Sequence, residues 1–323
     1  MRTFKWCIGA AIALATASAH AQTQEYPNRV VRFIVGFAPG GGTDIVARLL
    51  AQKLSESLGQ QFVVENRPGA TGMVGANAVA KAAPDGYTLL MAHVNSNAIA
   101  PTIAKKPLYD PVRDFALISY VGYVPNILVI NAQRPFKSVA DLVAAAKSSP
   151  KGLTFASPGV GSTNHLAGEM LAMGAGVKLV HVPYKGSSPA IVDLLGGQID
   201  MNFDALSSVV PYLKDGRMRA LAVTTPQRDP EYPDVPTMTE SGFKQFEVTN
   251  WYGVAAPAGT PPAIVDRLNK EINRIVQEPE VVKKLDELGV RRNPMTPAQF
   301  QQFVEAEIAK YRTVAQATGI STD

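Results

Sequence analysis

The sequence predicts an α/β fold of two lobes, and three observations support this prediction. Strand-like and helix-like segments alternate along most of the chain, which is the pattern of a parallel sheet covered by helices. The alternation starts again near Val124, which indicates a second α/β unit. A strand, a glycine-rich loop and a helix follow one another once in each unit. We therefore expect two lobes joined by a hinge of crossing strands, with the C-terminal helices returning to complete the first lobe.

The first unit begins with an apolar strand at 30–35, which leads into a glycine-rich loop. From Thr43 onward, apolar residues recur every three or four positions with polar residues between them, so we expect an amphipathic helix. Gly59 is the expected end of this helix, because glycine readily adopts the left-handed conformation that follows a helix. Further strands are expected at 62–64 and 87–91.

The second unit repeats this plan. A strand at 126–130 begins it, and a second glycine-rich loop, SPGVGSTNH, follows a strand at 153–156. A loop-rich stretch at 226–241 leads to a long strand at 246–257. The other predicted elements are helices at 138–147, 188–195, 262–277, 280–288 and 297–318, and strands at 178–182, 199–203 and 219–223.

Residues 1–21 have the pattern of a cleavable signal peptide. Arg2 and Lys5 precede a short apolar stretch, and small residues around Ala21 form a cleavage sequence. We expect cleavage after Ala21 and export to the periplasm. The only cysteine, Cys7, lies in this segment, so the exported chain has no disulfide, thiol nucleophile or thiolate metal site. Loss of the two basic residues lowers the net charge from +4 to +2, which gives no reason to expect nucleic-acid binding.

The first glycine-rich loop, in GFAPGGGTDIVARL, partly matches a phosphate-binding loop. Gly36, Gly41 and Thr43 have the spacing of that motif, but Gly42 stands where the lysine belongs. A dinucleotide fingerprint fails as well, because Ile45 occupies the position of its third glycine. A glycine-rich turn before a helix still presents backbone N–H groups to an anion. The sequence thus leaves two interpretations of this loop, an anion site and a simple tight turn.

The second loop changes this balance, because it places a similar feature in the other lobe. Ser162 or Thr163 can cap the helix that follows or donate to a ligand. Two such loops facing each other at the carboxyl ends of strands would bind an anion, or both ends of a dianion. His165 and Glu169 have metal-ligand spacing but no third candidate nearby, so we expect no metal and interpret His165 as packing beside the loop. His181 is expected to be an interior histidine.

The sequence gives little support for catalysis. It contains no G-x-S-x-G or H-E-x-x-H motif. Asp200 and Asp204 flank the end of a strand and are turn or cap candidates as much as a carboxylate pair. Asp204 can reach the cleft, where it would repel an anion unless the ligand offers a hydroxyl or ammonium donor.

Long blocks of the sequence resemble the Bug family, the periplasmic solute receptors of tripartite tricarboxylate transporters. The first block is YPNRVVRFIVGFAPGGGTDIVARLLAQKLSESLGQQFVVENRPGATG, and PDGYTLLMA follows it. The resemblance continues through FASPGVGSTNHLAGEM, HVPYKGSSPAIVDLLGGQID and WYGVAAPAGTPPAIVDRLN, in the family's order and spacing. It implies a type II periplasmic-binding fold that closes on an organic acid. Lobe 1 is then expected at 22–124 and 248–323, lobe 2 at 125–247, and the ligand cleft between them.

The resemblance also implies binding residues, because family members hold ligand carboxylates largely with backbone N–H groups of the two loops. Carried onto this sequence, the first loop contributes Phe37, Ala38, Gly42, Thr43 and Asp44. The second loop contributes Ser157, Gly161, Ser162, Thr163 and His165. Asp204 is the last candidate, because the family varies around that position.

By this resemblance the protein is a monomeric receptor, not an enzyme, with neither cofactor nor metal. It delivers a mono-, di- or tricarboxylate, with aromatic and amino acids included, to a two-component membrane permease. The side chains expected to select the ligand are Phe37, Asn95, Asn97 and Asp204. The alternative is a secreted enzyme that acts on a carboxylate in the same cleft. A nucleotide-binding module is a weaker third hypothesis, because the lysine is missing.

Overall fold

The computed structural model describes residues 26–184, 187–244 and 246–322, so the predicted signal peptide at 1–21 lies outside the described residues. The strands are β1 (Val31–Val35), β2 (Phe62–Asn66), β3 (Thr88–His93), β4 (Phe115–Asn131), β5 (Leu153–Ser157), β6 (Leu179–Pro183), β7 (Met201–Ala205), β8 (Met218–Val223), β9 (Thr249–Pro257) and β10 (Arg291–Arg292). The helices are α1 (Gly42–Leu58), α2 (Met73–Ala80), α3 (Ala100–Ile103), α4 (Val139–Ser148), α5 (Thr163–Ala175), α6 (Ser187–Leu195), α7 (Leu206–Lys214), α8 (Pro262–Ile275), α9 (Pro279–Glu287) and α10 (Pro297–Thr318).

The strands form one continuous hydrogen-bonded path in the order β2-β1-β3-β9-β4-β7-β5-β6, with β8 and β10 also paired to β4. Strand β1 is parallel to β2 and β3, and β5 is parallel to β6 and β7. Strands β4 and β9 are antiparallel to their neighbours. The expected parallel sheet therefore holds for the outer strands, whereas the middle of the sheet is antiparallel. The 17-residue β4 continues through both halves of the sheet.

Four buried apolar clusters cover the two faces of the two halves. Helices α1, α8 and α9 pack on one face of the half that contains β1, and α2 and α10 pack on its other face. In the second half, α4 and α5 cover one face, and α6 and α7 cover the other. Within the described part of the chain, no helix is both long and apolar enough to cross a membrane.

Helix ends follow local sequence signals. Helix α1 ends at Gly59, which has a φ of 68° in the left-handed region. Helix α10 occupies the predicted residues, and Thr296 and Gln299 form a capping box at its start. Helix α1 has no such polar cap at its start, because its N-cap residue is Gly41. The uncapped N-terminus of α1 is part of the candidate site.

Candidate binding site

The N-terminus of α1 has free backbone donors. The first helical hydrogen bond runs from the Ile45 N–H to the Gly41 carbonyl, at 3.0 Å. The N–H groups of Gly42, Thr43 and Asp44 have no hydrogen-bond acceptor among the described residues. Uncapped N–H groups at the positive end of a 17-residue helix are suited to an anion.

The Asp44 side chain holds the first loop in place through hydrogen bonds within the protein. Its carboxylate accepts hydrogen bonds from the Gly40 N–H at 2.9 Å, the Arg48 Nε at 2.9 Å and the Asn66 Nδ2 at 2.8 Å. Burial opposes ionisation of this carboxyl, but the hydrogen bonds from Arg48, Gly40 and Asn66 lower its pKa overall. The backbone N–H of Asp44, in contrast, has no acceptor among the described residues.

The second loop lies between β5 and α5, and several of its polar groups are already used. Ser162 is the N-cap of α5: its hydroxyl accepts from the His165 N–H at 3.3 Å and donates to the Gly159 carbonyl at 2.8 Å. The Gly161 N–H donates to the His165 Nδ1 at 3.1 Å. The N–H groups of Thr163 and Asn164 have no acceptor among the described residues, so these two remain for a ligand.

Two stacked histidines lie beside the second loop. The rings of His165 and His181 stack with their centroids 3.7 Å apart, and the Phe155 ring lies close to both, with centroid distances of 5.0 Å to His181 and 6.1 Å to His165. Ser157 Oγ lies 2.6 Å from the His181 Nε2. Burial is the main cause that lowers the pKa of His181 to about 4, and the neighbouring His165 adds to it. The His181 ring is therefore neutral at pH 7. His181 is half-buried rather than fully interior, and the pair fixes the backbone of the loop.

Each of the two helix N-termini contacts a residue at the beginning of β9. The Thr163 hydroxyl, at the start of α5, donates to the Asn250 Oδ1 at 2.7 Å. At the start of α1, a Cβ added to Gly42 would lie 3.1 Å from the Tyr252 hydroxyl oxygen. Asn250 and Tyr252 are two positions apart in one strand, so they share a face and lie roughly 6.5 Å apart along it. One short strand segment thus lies beside both helix N-termini.

Asp204 lies at the end of β7, in a polar cluster that continues this site. Its carboxylate accepts from the Ser187 Oγ at 2.9 Å, the Ala205 N–H at 2.8 Å and the Asn202 Nδ2 at 3.0 Å. The residue is 1% exposed, and burial raises its pKa to about 6 despite those hydrogen bonds. Asn164, which follows Thr163, donates to the Phe203 carbonyl and ties α5 to this strand.

The remaining predicted side chains lie around the first loop. Phe37 is half-buried, Ala38 is exposed, and Asn97 is fully buried with its Nδ2 unpartnered among the described residues. The Asn95 Oδ1 is likewise buried without a described partner. These amides supply polar groups that are not used within the described fold. No group of three or more His, Cys, Asp or Glu side chains that could hold a metal occurs in the described ranges.

Sequence reasoning did not identify the aromatic wall beneath the first loop. The Phe37 and His93 rings are 4.9 Å apart, and the His93 and Tyr252 rings are 5.4 Å apart. His93 and Tyr252 are register partners in the antiparallel pair of β3 and β9, more than 150 residues apart in sequence. The only local signal is that His93 ends a strand at the same sheet edge as the glycine-rich loop.

The chain is similar to known proteins in both sequence and fold. Residues 46–320 match the tripartite tricarboxylate transporter family receptor, TctC. Protein BugT of Bordetella pertussis is 39% identical over 313 residues, which are 97% of this chain and 96% of BugT. The periplasmic binding protein BugD superposes with a TM-score of 0.80 at 37% identity, over 92% of this chain and 100% of BugD.

Two further solved structures contain ligands. R. palustris Rpa4515 with adipate has a TM-score of 0.83 at 38% identity, over 92% of this chain and 99% of that one. MatC (Rpa3494) from Rhodopseudomonas palustris with bound malate has a TM-score of 0.78 at 34% identity, over 90% of this chain and 99% of that one.

The fold and these comparisons define a solute-binding receptor of the two-lobed periplasmic-binding class, which confirms the fold predicted from the sequence. The chain belongs to the tripartite tricarboxylate transporter receptor family, of which the Bug proteins are members, and the resemblance noted in the sequence is confirmed. The relatives that establish this membership are receptors rather than enzymes.

Proposed function

We propose that the protein is a periplasmic receptor that binds a small organic acid between its two lobes and delivers it to a tripartite tricarboxylate transporter. The observation on which this rests is that two helix N-termini, whose first N–H groups have no acceptor among the described residues, each contact the beginning of β9. Adipate in Rpa4515 and malate in MatC support a carboxylate as the ligand. We further propose the lobe boundaries expected from the sequence, 22–124 with 248–323 and 125–247.

The site suits a carboxylate because its donors are neutral and fixed. Gly42, Thr43 and Asp44 offer N–H groups from α1, and Thr163 and Asn164 offer them from α5. A hydrogen bond to a charged group contributes about 1.5–3 kcal/mol, so a few such donors replace a cation. Donors from both lobes give the closed state contacts that the open state lacks, so the ligand would favour closure.

The first test is a thermal-shift and calorimetry screen of the exported chain with mono-, di- and tricarboxylates. A ligand that binds the folded state raises the melting temperature by mass action and is recovered unchanged. ATP with magnesium is the control for the nucleotide hypothesis. Turnover of a carboxylate would favour the enzyme alternative, and absence of both binding and turnover across the panel would argue against the proposed function.

The second test removes one backbone donor. Thr163 is the first residue of α5, where proline is tolerated, and Ser162 before it has the extended ψ of 160° that proline requires. Thr163→Pro therefore keeps the fold but loses the N–H and the hydroxyl, and we expect affinity to fall at least tenfold. Thr163→Val is the matched control, because it loses only the hydroxyl bonded to Asn250. Equal affinities for the two variants would show that the N–H does not bind the ligand.

A further inference from the structure

Tyr252 is a buried residue whose hydroxyl has no hydrogen-bond partner within the described part of the chain. The residue is 6% exposed, and its ring packs in the core beneath α1. Among the described residues no hydrogen-bond partner is found for its oxygen, although buried tyrosine hydroxyls usually have one. Burial raises the pKa of Tyr252 to about 12, so the group keeps its proton at neutral pH.

The neighbouring histidine does not take that proton. The His93 Nδ1 accepts the Asn95 N–H at 3.1 Å, so in the neutral ring the proton is on Nε2. Burial lowers the pKa of His93 to about 3, which keeps the ring neutral at pH 7. Its second nitrogen is therefore a donor, so the ring has no acceptor left for the Tyr252 proton. The Tyr252 O–H consequently remains free.

The position of the hydroxyl points to the anion site. A Cβ added to Gly42 would lie 3.1 Å from the Tyr252 oxygen, whereas one added to Gly40 would meet nothing within 4 Å. The hydroxyl thus lies directly beside the first turn of α1, where the N–H groups of Gly42 and Thr43 are free. This contact also explains why a glycine suits the position at which a phosphate-binding loop has its lysine.

We propose that the Tyr252 hydroxyl is a ligand-binding donor, which hydrogen-bonds a carboxylate oxygen of the acid held by the N-terminus of α1. The inference rests on the proposed function and deepens it, because it adds a side-chain donor to a site otherwise made of backbone N–H groups. Because the phenol has no charge, it would favour those acids whose carboxylate oxygen lies within hydrogen-bond distance of it. It extends the first-lobe contribution from the loop to strand β9.

The direct test is Tyr252→Phe, which removes one oxygen and leaves the ring in place. Calorimetry uses whichever carboxylate of the screen, adipate or malate included, binds the wild-type protein. We expect affinity to fall at least tenfold, equivalent to about 1.4 kcal/mol, with the melting temperature of the unliganded protein unchanged. Tyr311→Phe is the matched control, since Tyr311 is a buried tyrosine on α10 in the core of the opposite sheet face, and it should bind normally.

A double-mutant cycle with Gly42→Ala separates a direct contact from general disturbance. Gly42 has an ordinary backbone conformation, so alanine adds only a methyl group against the hydroxyl. We expect Gly42→Ala to weaken binding in the wild-type background and to cost clearly less in the Tyr252→Phe background. Unchanged affinity in Tyr252→Phe overturns the inference. Failure of the wild-type protein to bind any carboxylate would instead refute the proposed function on which it rests.

Discussion

At the scale of single residues, Asp204 shows how burial changes a carboxyl group. Ser187, Ala205 and Asn202 all donate to it, yet none of these partners has a charge. Because burial raises its pKa to about 6, the folded state binds a proton more tightly than the unfolded chain does. This residue therefore adds stability at pH values below about 4, and that contribution is lost as the pH rises through 6.

We predict that Asp204→Asn stabilises the protein at pH 7 by about 1–3 kcal/mol, because the variant has no charge to bury. The new amide has a ready partner: the Asn202 Oδ1 is buried and unpaired among the described residues, so a flip of Asn202 lets it accept from residue 204. Urea unfolding at pH 7 and pH 4 measures the effect, and the gain should disappear at pH 4. A destabilised variant at pH 7 would show that the carboxylate is needed as an acceptor.

At the scale of elements, the close packing of α5 on β5 positions the second loop. Gly168 lies in α5 directly over Phe155, and a Cβ added there would be 2.1 Å from the phenyl ring. Both residues are buried, so neither side can move away freely. The glycine lets the helix approach the strand, and the approach brings His165 over the same ring.

We predict that Gly168→Ala destabilises the protein by about 1–3 kcal/mol through overpacking, despite the better helix propensity of alanine. Phe155→Leu in the same chain should recover part of this loss, because the smaller side chain leaves space for the methyl group. Urea unfolding of the two single variants and the double variant measures the coupling. If Gly168→Ala were as stable as the wild type, helix α5 and Phe155 could move apart enough to accept the methyl group, and the predicted overpacking would be wrong.

The elements also show what could be predicted from the sequence. Helix α10 has strong local signals and lies where the periodicity placed it. The first half of β4 was not predicted, because its residues are buried on both faces and show neither strand alternation nor turn signals. In the site, the two glycine loops were predicted from local spacing. Tyr252 was not, because its position depends on the long-range pairing of β9 with β3.

The same limit applies to the donors of each loop. Local sequence indicated that backbone N–H groups would be available in both loops, and it named the helices that follow. It did not indicate that the Gly161 N–H is taken by the His165 ring, or that Asp44 turns its carboxylate to Gly40 and Asn66. In each case a donor has several possible acceptors within a few ångströms, and the spacing of residues in the sequence does not show which acceptor it uses.

At the scale of the whole molecule, an ion pair with a buried carboxylate joins two segments that pair with different parts of β4. Arg291 lies in β10, which pairs with β4 at Tyr123, whereas Asp229 follows β8, which pairs with β4 between Ile127 and Asn131. The Arg291 guanidinium contacts both Asp229 oxygens at 2.9 Å. The Asp229 side chain is 1% exposed, so the carboxylate of this pair is removed from solvent.

We predict that Arg291→Met destabilises the protein by about 3–5 kcal/mol, because it leaves the Asp229 carboxylate buried without its cation. Adding Asp229→Asn should recover most of that loss, since the amide oxygen still accepts the Glu231 N–H and no charge stays buried. Urea unfolding of the four proteins gives the coupling energy, and it should change little between 0.05 and 0.5 M salt because the pair is shielded. If Arg291→Met cost less than about 1 kcal/mol, or if the double variant were no more stable than Arg291→Met, the pair would not be what joins the two segments beside β4.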